Sequence, residues 1–393
     1  MLFRSWGLDQ LLPPGLRLIH GPGCPVCVTA AETLDAALDL AGRREVILCS
    51  YGDMLRVPGS AGSSLLTRRA EGAQVRLITS PLQALAIARE EPSREVVLLA
   101  VGFETTAPAT ALLVRHALAL GVGNLSLLTA LGRVAPAMEV LLRPEPRSGA
   151  ASPVRGFLAA GHVCGVVGSE ALRPLVRRHR LPVVVSGFEP LELMRAILAC
   201  VRLLEAGTPK LANAYGRVVR PRGNPTAREL LAAVFQVVDQ PWRGFGVIPA
   251  GGLALRPAFA GLDARRRFGL EPAGASGSWP AAADSPYPAA ALPAPMAPGG
   301  NAAGEPRPCR PAVRAAPGVG IGSAPPDRDG RVDPCIAALI LRGLAQPPAC
   351  AAFAGACTPD HPLGAPMVSE EGACAAYHRH RAPLAMAAAA TGR

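Results

Sequence analysis

The sequence contains almost no lysine, few aromatic residues and no long apolar run. Lys210 is the only lysine among 393 residues, so arginine supplies nearly all of the formal net charge of +11. Aromatic residues make up 4%, too few for the stacking platforms that bind single strands, and no nucleic-acid module is recognisable. No stretch of about 18 apolar residues predicts a membrane span. The start, "MLFRSWGLDQ", lacks the regions of a secretory signal, so we expect a cytoplasmic protein with no nucleic-acid or membrane partner.

The ten cysteines include a close pair near the start and a group near the end. In a long cytoplasmic chain thiols stay reduced, so clustered cysteines indicate metal or redox chemistry rather than structural disulfides. Cys49 and Cys200 each lie at the end of an apolar run and are predicted to be small buried hydrophobic residues. Cys309 lies in a segment rich in Pro, Ala and Gly and is expected to be incidental.

Short apolar runs alternate with helical patterns from residue 28 to residue 205. Most of the runs are continuous, as in parallel strands that are covered on both faces. Ser80 before Pro81 predicts the start of a helix. The alternation predicts α/β architecture with parallel sheets. The predicted strands are 45–50, 74–79, 95–101, 125–131, 165–168 and 182–187.

An internal echo predicts two related α/β domains, over 1–130 and 131–269. "ITSPLQALAIAREEPSREVVLLAVGFETT" and "VVGSEALRPLVRRHRLPVVVSGFEPLEL" share an order of helix, basic turn, apolar strand and "GFE". Residues 270–331 have too few large apolar side chains to offset their ordering entropy, which predicts a disordered insertion. Residues 332–393 are predicted to form a small cysteine-rich domain.

The stretch "HGPGCPVC" places Cys24 and Cys27 three positions apart in a loop of glycine and proline, just before a helical pattern. The amides and dipole at the N-terminus of a helix favour a thiolate and lower the pKa of a thiol. Such a pair can close a disulfide or bind a soft metal. Zinc is less favoured because the sequence has no second C-x-x-C and no C-x-x-H.

The C-terminal region provides four more thiols, with gaps of 14, 6 and 16 residues between them. Four thiolates suit an all-cysteine zinc site or a [4Fe–4S] cluster, and their spacing does not choose between the two. In a small, loop-rich tail they are better explained as metal ligands than as core residues. The four are Cys335, Cys350, Cys357 and Cys374.

Each "GFE" turn places a glutamate after a strand, where parallel α/β folds form their sites. Glu104 and Glu189 either cap the helices that follow or face one shared cleft, and their matched positions favour the cleft. Thr105 and Thr106 follow the first glutamate, and His162 lies in the glycine-containing loop "AGHVCG". In "YGDMLRVPGS" the Asp53 and Arg56 side chains are placed to pair or to contact a partner.

Taken together, these motifs resemble the HypD family of hydrogenase maturation proteins. The matching stretches are "GPGCPVCV", "YGDMLRVPGS", "GFETTAPATA", "AGHVCG", "GFEPLEL", "RGNP", "PWRGFGVIPAGGLALRP" and "ACTPDHPLGAPMVSEEGACAAY". They span nearly the whole chain except the Pro/Ala-rich insertion.

The resemblance implies two α/β domains, a small C-terminal [4Fe–4S] domain and a scaffold role. With a HypC-type partner, the family assembles the Fe(CN)2CO group of [NiFe]-hydrogenases, receives cyanide through HypE, and passes the iron unit to the hydrogenase large subunit. Cys24 and Cys27 match its redox-active, iron-binding thiol pair. By the same resemblance the cleft motifs contain Glu104, Thr105, Thr106, His162 and Glu189, and the cluster positions are Cys335, Cys350, Cys357 and Cys374.

The sequence departs from the family pattern at both ends. The upstream C-G-x-H motif, whose cysteine is thought to bind the iron, is not in this sequence, which begins beside the segment that follows that motif. Ala337 and Pro366 stand where the family has further cysteines. Two alternatives therefore stand beside the scaffold: a free-standing thiol oxidoreductase that uses Cys24 and Cys27, and an interaction module without chemistry.

Overall fold

The computed structural model describes residues 2–144, 149, 151–270 and 335–380. The predicted insertion, apart from Leu270, and Cys309 lie outside the described residues. The nine strands of the described part are β1 (Val46–Ser50), β2 (Val75–Leu77), β3 (Glu95–Gly102), β4 (Leu125–Gly132), β5 (Phe157–Ala160), β6 (Val183–Ser186), β7 (Leu211–Asn213), β8 (Phe235–Trp242) and β9 (Gly246–Leu255).

The helices of the first half of the chain are α1 (Leu2–Ser5), α2 (Pro25–Val28), α3 (Ala31–Ala41), α4 (Gly52–Leu55), α5 (Leu65–Ala70), α6 (Pro81–Glu90), α7 (Ala107–Ala119), α8 (Val134–Leu141), α9 (Gly161–Val167) and α10 (Arg173–His179). Those that follow are α11 (Pro190–Glu205), α12 (Pro225–Val234), α13 (Ala264–Arg267), α14 (Ala337–Leu341), α15 (Ala365–Val368) and α16 (Ala373–Arg379). Four short 3-10 turns complete the described part: Leu8–Gln10, Ser169–Leu172, Pro257–Leu262 and Pro347–Ala349.

The larger sheet has the strand order β2-β1-β3-β4-β9-β8. Strands β1 to β4 are parallel, and β1, β3 and β4 are almost entirely buried, which confirms the α/β class predicted from their continuous apolar runs. In the edge strand β2 only Val75 is buried. The β8–β9 hairpin joins antiparallel to β4, so the sheet is mixed rather than wholly parallel. Helices cover both faces, and the predicted start at Ser80 is confirmed because its hydroxyl and Gln83 form a capping box.

The smaller sheet is parallel, with the order β5-β6-β7. In the chain, α9 and α10 come between β5 and β6, and α11 comes between β6 and β7. The predicted strand at 165–168 is wrong because these residues lie in α9 and its end. The partner of β6 is instead Phe157–Ala160. A short apolar run fits a buried helix as well as a strand, and Gly168 ends this helix with a φ of 92°.

The chain returns to the larger sheet after it has built the smaller one. Residues 235–255 form β8 and β9, although they lie inside the second predicted domain, 131–269. The domain boundaries remain a prediction, but the sheets show that the chain crosses between the two units twice. In the described ranges no helix is long and apolar enough to cross a membrane.

Candidate functional site: a buried disulfide beside a four-cysteine tail

Cys24 and Cys27 form a disulfide in the structure. The sequence allowed either a disulfide or a soft-metal site here, and the structure shows the disulfide. The general expectation that thiols of this chain are reduced does not hold for this pair. Cys24 is the N-cap residue of α2, and its sulfur accepts a hydrogen bond from the Cys27 backbone N–H at 3.1 Å. Pro25 occupies the first helical position, where no N–H is needed. The loop therefore sets both sulfurs at the start of a short helix.

The disulfide is buried, with Cys24 3% and Cys27 1% exposed. It packs in an apolar cluster with Phe103, Trp242 and Phe245. The rings of Phe103 and Trp242 stack with their centroids 5.5 Å apart, and the Trp242 Nε1 donates to the Gly251 carbonyl at 3.1 Å. The disulfide is thus shielded from water by aromatic side chains from β8, from the turn after β8 and from the first "GFE" turn.

Arg243 holds the backbone that carries the disulfide. Its backbone N–H donates to the Val28 carbonyl at 2.8 Å, and its Nε donates to the Thr29 carbonyl at 3.1 Å. Its Nη2 also donates to the Pro58 carbonyl at 3.4 Å. A single arginine at the β8–β9 turn therefore fixes the exit of the disulfide loop against the "RVPG" loop.

The C-terminal tail covers the other side of the disulfide. Helix α15 packs against α2, and the Ala365 carbonyl oxygen lies 3.9 Å from the Cys27 sulfur. Arg56 donates to the Val368 carbonyl at 2.8 Å and to the Pro359 carbonyl at 3.5 Å. Arg56 also pairs with Asp53 at 3.6 Å, which is one of the two roles predicted for these side chains. The "YGDMLRVPGS" loop thus attaches the tail to the larger sheet.

The thiols of the other three tail cysteines lie within electrostatic reach of Cys374. Burial raises the pKa of the Cys374 thiol, and the nearby thiols of Cys335, Cys357 and Cys350 raise it further. Cys357 and Cys374 are buried, whereas Cys335 and Cys350 are half-buried. Within the ranges that the structure describes, no three His, Cys, Asp or Glu side chains are arranged to hold a single metal ion. Four thiolates are a donor set that a [4Fe–4S] cluster requires and that an all-cysteine zinc site also uses.

Glu104 is buried at the end of β3, and both of its carboxylate oxygens accept the Val134 N–H at 3.2 Å. It therefore caps α8 rather than the helix that follows it in sequence. Burial raises the pKa of Glu104, and hydrogen bonds from backbone N–H groups and the charge of Arg133 offset part of this shift. Burial and the Glu104 charge raise the pKa of the Cys164 thiol to about 12.

Glu189 lies in quite different surroundings from Glu104. Its carboxylate is exposed and pairs with Arg217 at 2.8 Å, and the same arginine pairs with the buried Glu192 at 2.7 Å. The exposed His162 ring packs edge-on against Phe188, with centroids 4.5 Å apart. The two glutamates thus occupy matched positions in the sequence but not matched environments.

Thr105 and Thr106 are exposed at the start of α7, next to the buried Glu104. Thr106 is the N-cap residue of this helix, and its hydroxyl donates to the Phe103 carbonyl at 3.1 Å. A Cβ on Gly102 would collide with the Thr106 side chain, so the glycine of "GFE" is needed for this turn.

Comparison with known proteins identifies the family. The family profile HypD, described as "Hydrogenase formation hypA family", matches residues 2–283 and 323–381. The chain belongs to this family. The hydrogenase expression/formation protein HupD of Azotobacter chroococcum mcd 1 is 40% identical over 381 residues, which cover 96% of this chain and 86% of the relative.

Two further relatives are named hydrogenase maturation factor HypD. The protein of Azotobacter vinelandii is 40% identical over 382 residues, covering 96% of this chain and 86% of the relative. The protein of Escherichia coli strain K12 is 36% identical over 378 residues, covering 96% of this chain and 85% of the relative. The HypD match includes both sheets and the four-cysteine tail, and the chain shares the role of these relatives in hydrogenase maturation.

Reasoning from the residues alone missed those that enclose the disulfide in this HypD chain. Trp242 and Arg243 belong to "PWRGFG", which lies in one of the stretches that carry the family resemblance. They lie more than two hundred positions from the cysteines, so no local pattern predicts the contact. One signal was available: a tryptophan and an arginine next to a Gly-Phe-Gly turn, in a chain with only three tryptophans.

Proposed function

We propose that this chain is the scaffold on which, together with a HypC-type partner, the Fe(CN)2CO group is assembled before transfer to the hydrogenase large subunit. The observation that carries the proposal is the position of the disulfide. It is buried between the larger sheet and helix α15 of the tail that contains four adjacent cysteines. The proposal includes a HypE-type donor of cyanide and a cytoplasmic location.

A dithiol reductant would convert the Cys24–Cys27 disulfide to two thiols by transferring two electrons and two protons, and would itself close a disulfide. Loss of a proton from a thiol gives a thiolate, a soft ligand that suits Fe(II) with carbonyl and cyanide ligands. The Cys27 backbone N–H, which points at the Cys24 sulfur, stabilises negative charge on that sulfur. The same pair therefore accepts two electrons as a disulfide and binds iron as two thiolates.

Cys335, Cys350, Cys357 and Cys374 are proposed to hold a [4Fe–4S] cluster. When bound, such a cluster would supply one-electron transfer. Glu104 fixes the start of α8, while Thr105, Thr106, His162 and Glu189 present polar groups at the surface. We propose that these four contact the iron unit or a partner.

The resident cluster is tested by anaerobic purification of the full chain, with iron and sulfide counted per chain and the visible spectrum recorded. About four irons and four sulfides, lost in Cys374→Ala but kept in the matched Cys200→Ala, are expected. Stoichiometric zinc without the Fe–S absorption would contradict the cluster.

The scaffold role is tested in cells that lack their own HypD. The wild-type chain should restore hydrogenase activity, and Cys27→Ala should not, although it should accumulate to the same level. The free-standing thiol oxidoreductase predicts instead that the isolated chain reduces insulin. Both sulfurs are buried, which argues against that activity. Insulin reduction at the rate of a thioredoxin would contradict the proposed scaffold function.

A further inference from the structure

Helix α11 is the longest helix of the described part and packs on the smaller sheet. Its buried residues are Glu192, Leu193, Ala196, Ile197 and Cys200. The remaining surface of the helix is exposed or half-buried, and one flank of this outer face is apolar.

Four apolar side chains follow one another along this outer face. Leu191 is 60% exposed and Leu198 is 49% exposed, and Met194 and Val201 are half-buried beside them. Their spacing of three, four and three residues is that of the seam by which one helix packs on another. We call these four residues the α11 stripe.

Two arginines border one edge of the α11 stripe. Arg195 and Arg202 are exposed and stand two turns apart on the helix. Among the residues described, no carboxylate forms an ion pair with either. Arg217, in contrast, pairs with Glu189 and Glu192 at the start of the same helix. The two arginines are therefore available to acidic groups from outside the chain.

We propose that the α11 stripe binds an amphipathic helix of a partner protein that carries acidic side chains along the edge facing Arg195 and Arg202. The 16 residues of α11 give a contact about 24 Å long, enough for three to four turns of a partner helix. A second copy of this chain in the antiparallel arrangement is the wrong occupant, because pairing two α11 stripes in that way would bring arginines against arginines. The net charge of +11 also favours an acidic partner.

The test uses the full chain and two labelled helical peptides about three heptads long. Both carry leucine at the seam positions, and they differ only in having glutamate or lysine at the flanking positions. Fluorescence anisotropy should show saturable binding of the glutamate peptide, and roughly tenfold weaker binding of the lysine peptide. Added salt should reduce this difference.

Variants locate the site. Leu191→Ser combined with Leu198→Ser should weaken binding of the glutamate peptide by roughly tenfold or more. Leu118→Ser on α7, where the leucine is 52% exposed, is the matched control and should leave binding unchanged. Arg195→Glu with Arg202→Glu should reverse the preference to the lysine peptide. Circular dichroism checks that each variant is folded.

Several results would overturn the proposal. These are equal binding of the two peptides, no binding of either, or a charge-reversed variant that keeps the wild-type preference. A wild-type dimer in light scattering that Leu198→Ser dissociates would show that a second copy occupies the stripe. A photo-crosslinker at position 198 that reacts with the chain's own residues would show that the stripe is already covered. The measurements use neither iron nor hydrogenase, so their failure is distinct from failure of the proposed scaffold function.

Discussion

The clamp that Arg243 forms on the disulfide loop leads to a quantitative prediction. In Arg243→Met the backbone bond to Val28 remains, and the apolar stem still packs. The variant loses the side-chain bonds to the carbonyls of Thr29 and Pro58, which are 3.1 and 3.4 Å long. A hydrogen bond from a charged group contributes about 1.5–3 kcal/mol, and the longer of these two contributes less.

The expected loss is about 2–3 kcal/mol in the free energy of opening the loop. Because both sulfurs are buried, a reductant in solution reaches them only in the open form. The reduction rate therefore follows the open population, and this loss should speed reduction by about 30- to 150-fold.

The assay is anaerobic reduction of the folded chain by excess dithiothreitol, followed by alkylation and mass spectrometry of the peptide that contains Cys24 and Cys27. Arg68→Met is the matched control, because Arg68 is exposed and, among the residues described, its ion pair is with Glu71 on the surface, a contact of little value. It should reduce at the wild-type rate. Equal rates for Arg243→Met and the wild-type chain, both far below the rate in guanidinium, would refute the role of the clamp.

Three further predictions concern stability. Burial raises the pKa of Glu104. The stability that this shift contributes to the fold is full below the ordinary glutamate pKa and is lost as the pH rises through the folded-state pKa. Glu104→Gln should therefore flatten the pH dependence of Tm, and an unchanged slope would contradict this prediction. Gly223 has a φ of 69°, and a Cβ there would meet the Val166 carbonyl oxygen; Gly121 has a similar φ of 63° but open space around it. In urea unfolding, Gly223→Ala should therefore lower the unfolding free energy by about 1–3 kcal/mol more than Gly121→Ala does. Arg56→Met removes the bonds that attach the tail, so limited proteolysis should cut residues 335–380 faster than in wild type; an unchanged rate would show that other contacts hold the tail.

Much of the fold was predictable from local sequence. Strands β1, β3, β4 and β6 are continuous apolar runs of four to eight residues, and such runs indicate buried parallel strands whatever their partners are. Helices α3, α6, α7 and α11 repeat apolar residues with helical spacing, and Ser80 supplied a cap that depends only on its next neighbours. Burial of Cys49 and Cys200 also followed from the runs that contain them.

The sequence by itself determined these elements, the C-x-x-C pair and the family motifs, because each is set by residues within a few positions of one another. Only the tertiary structure decided that Phe157–Ala160 and not residues 165–168 pairs with β6, and that β8 and β9 return to the first sheet. It also decided that Glu104 is buried while Glu189 is exposed, although both follow the same motif. The disulfide loop is contacted by Trp242, Arg243 and Ala365, which lie far from it in the sequence. Contacts across such distances depend on how the whole chain packs.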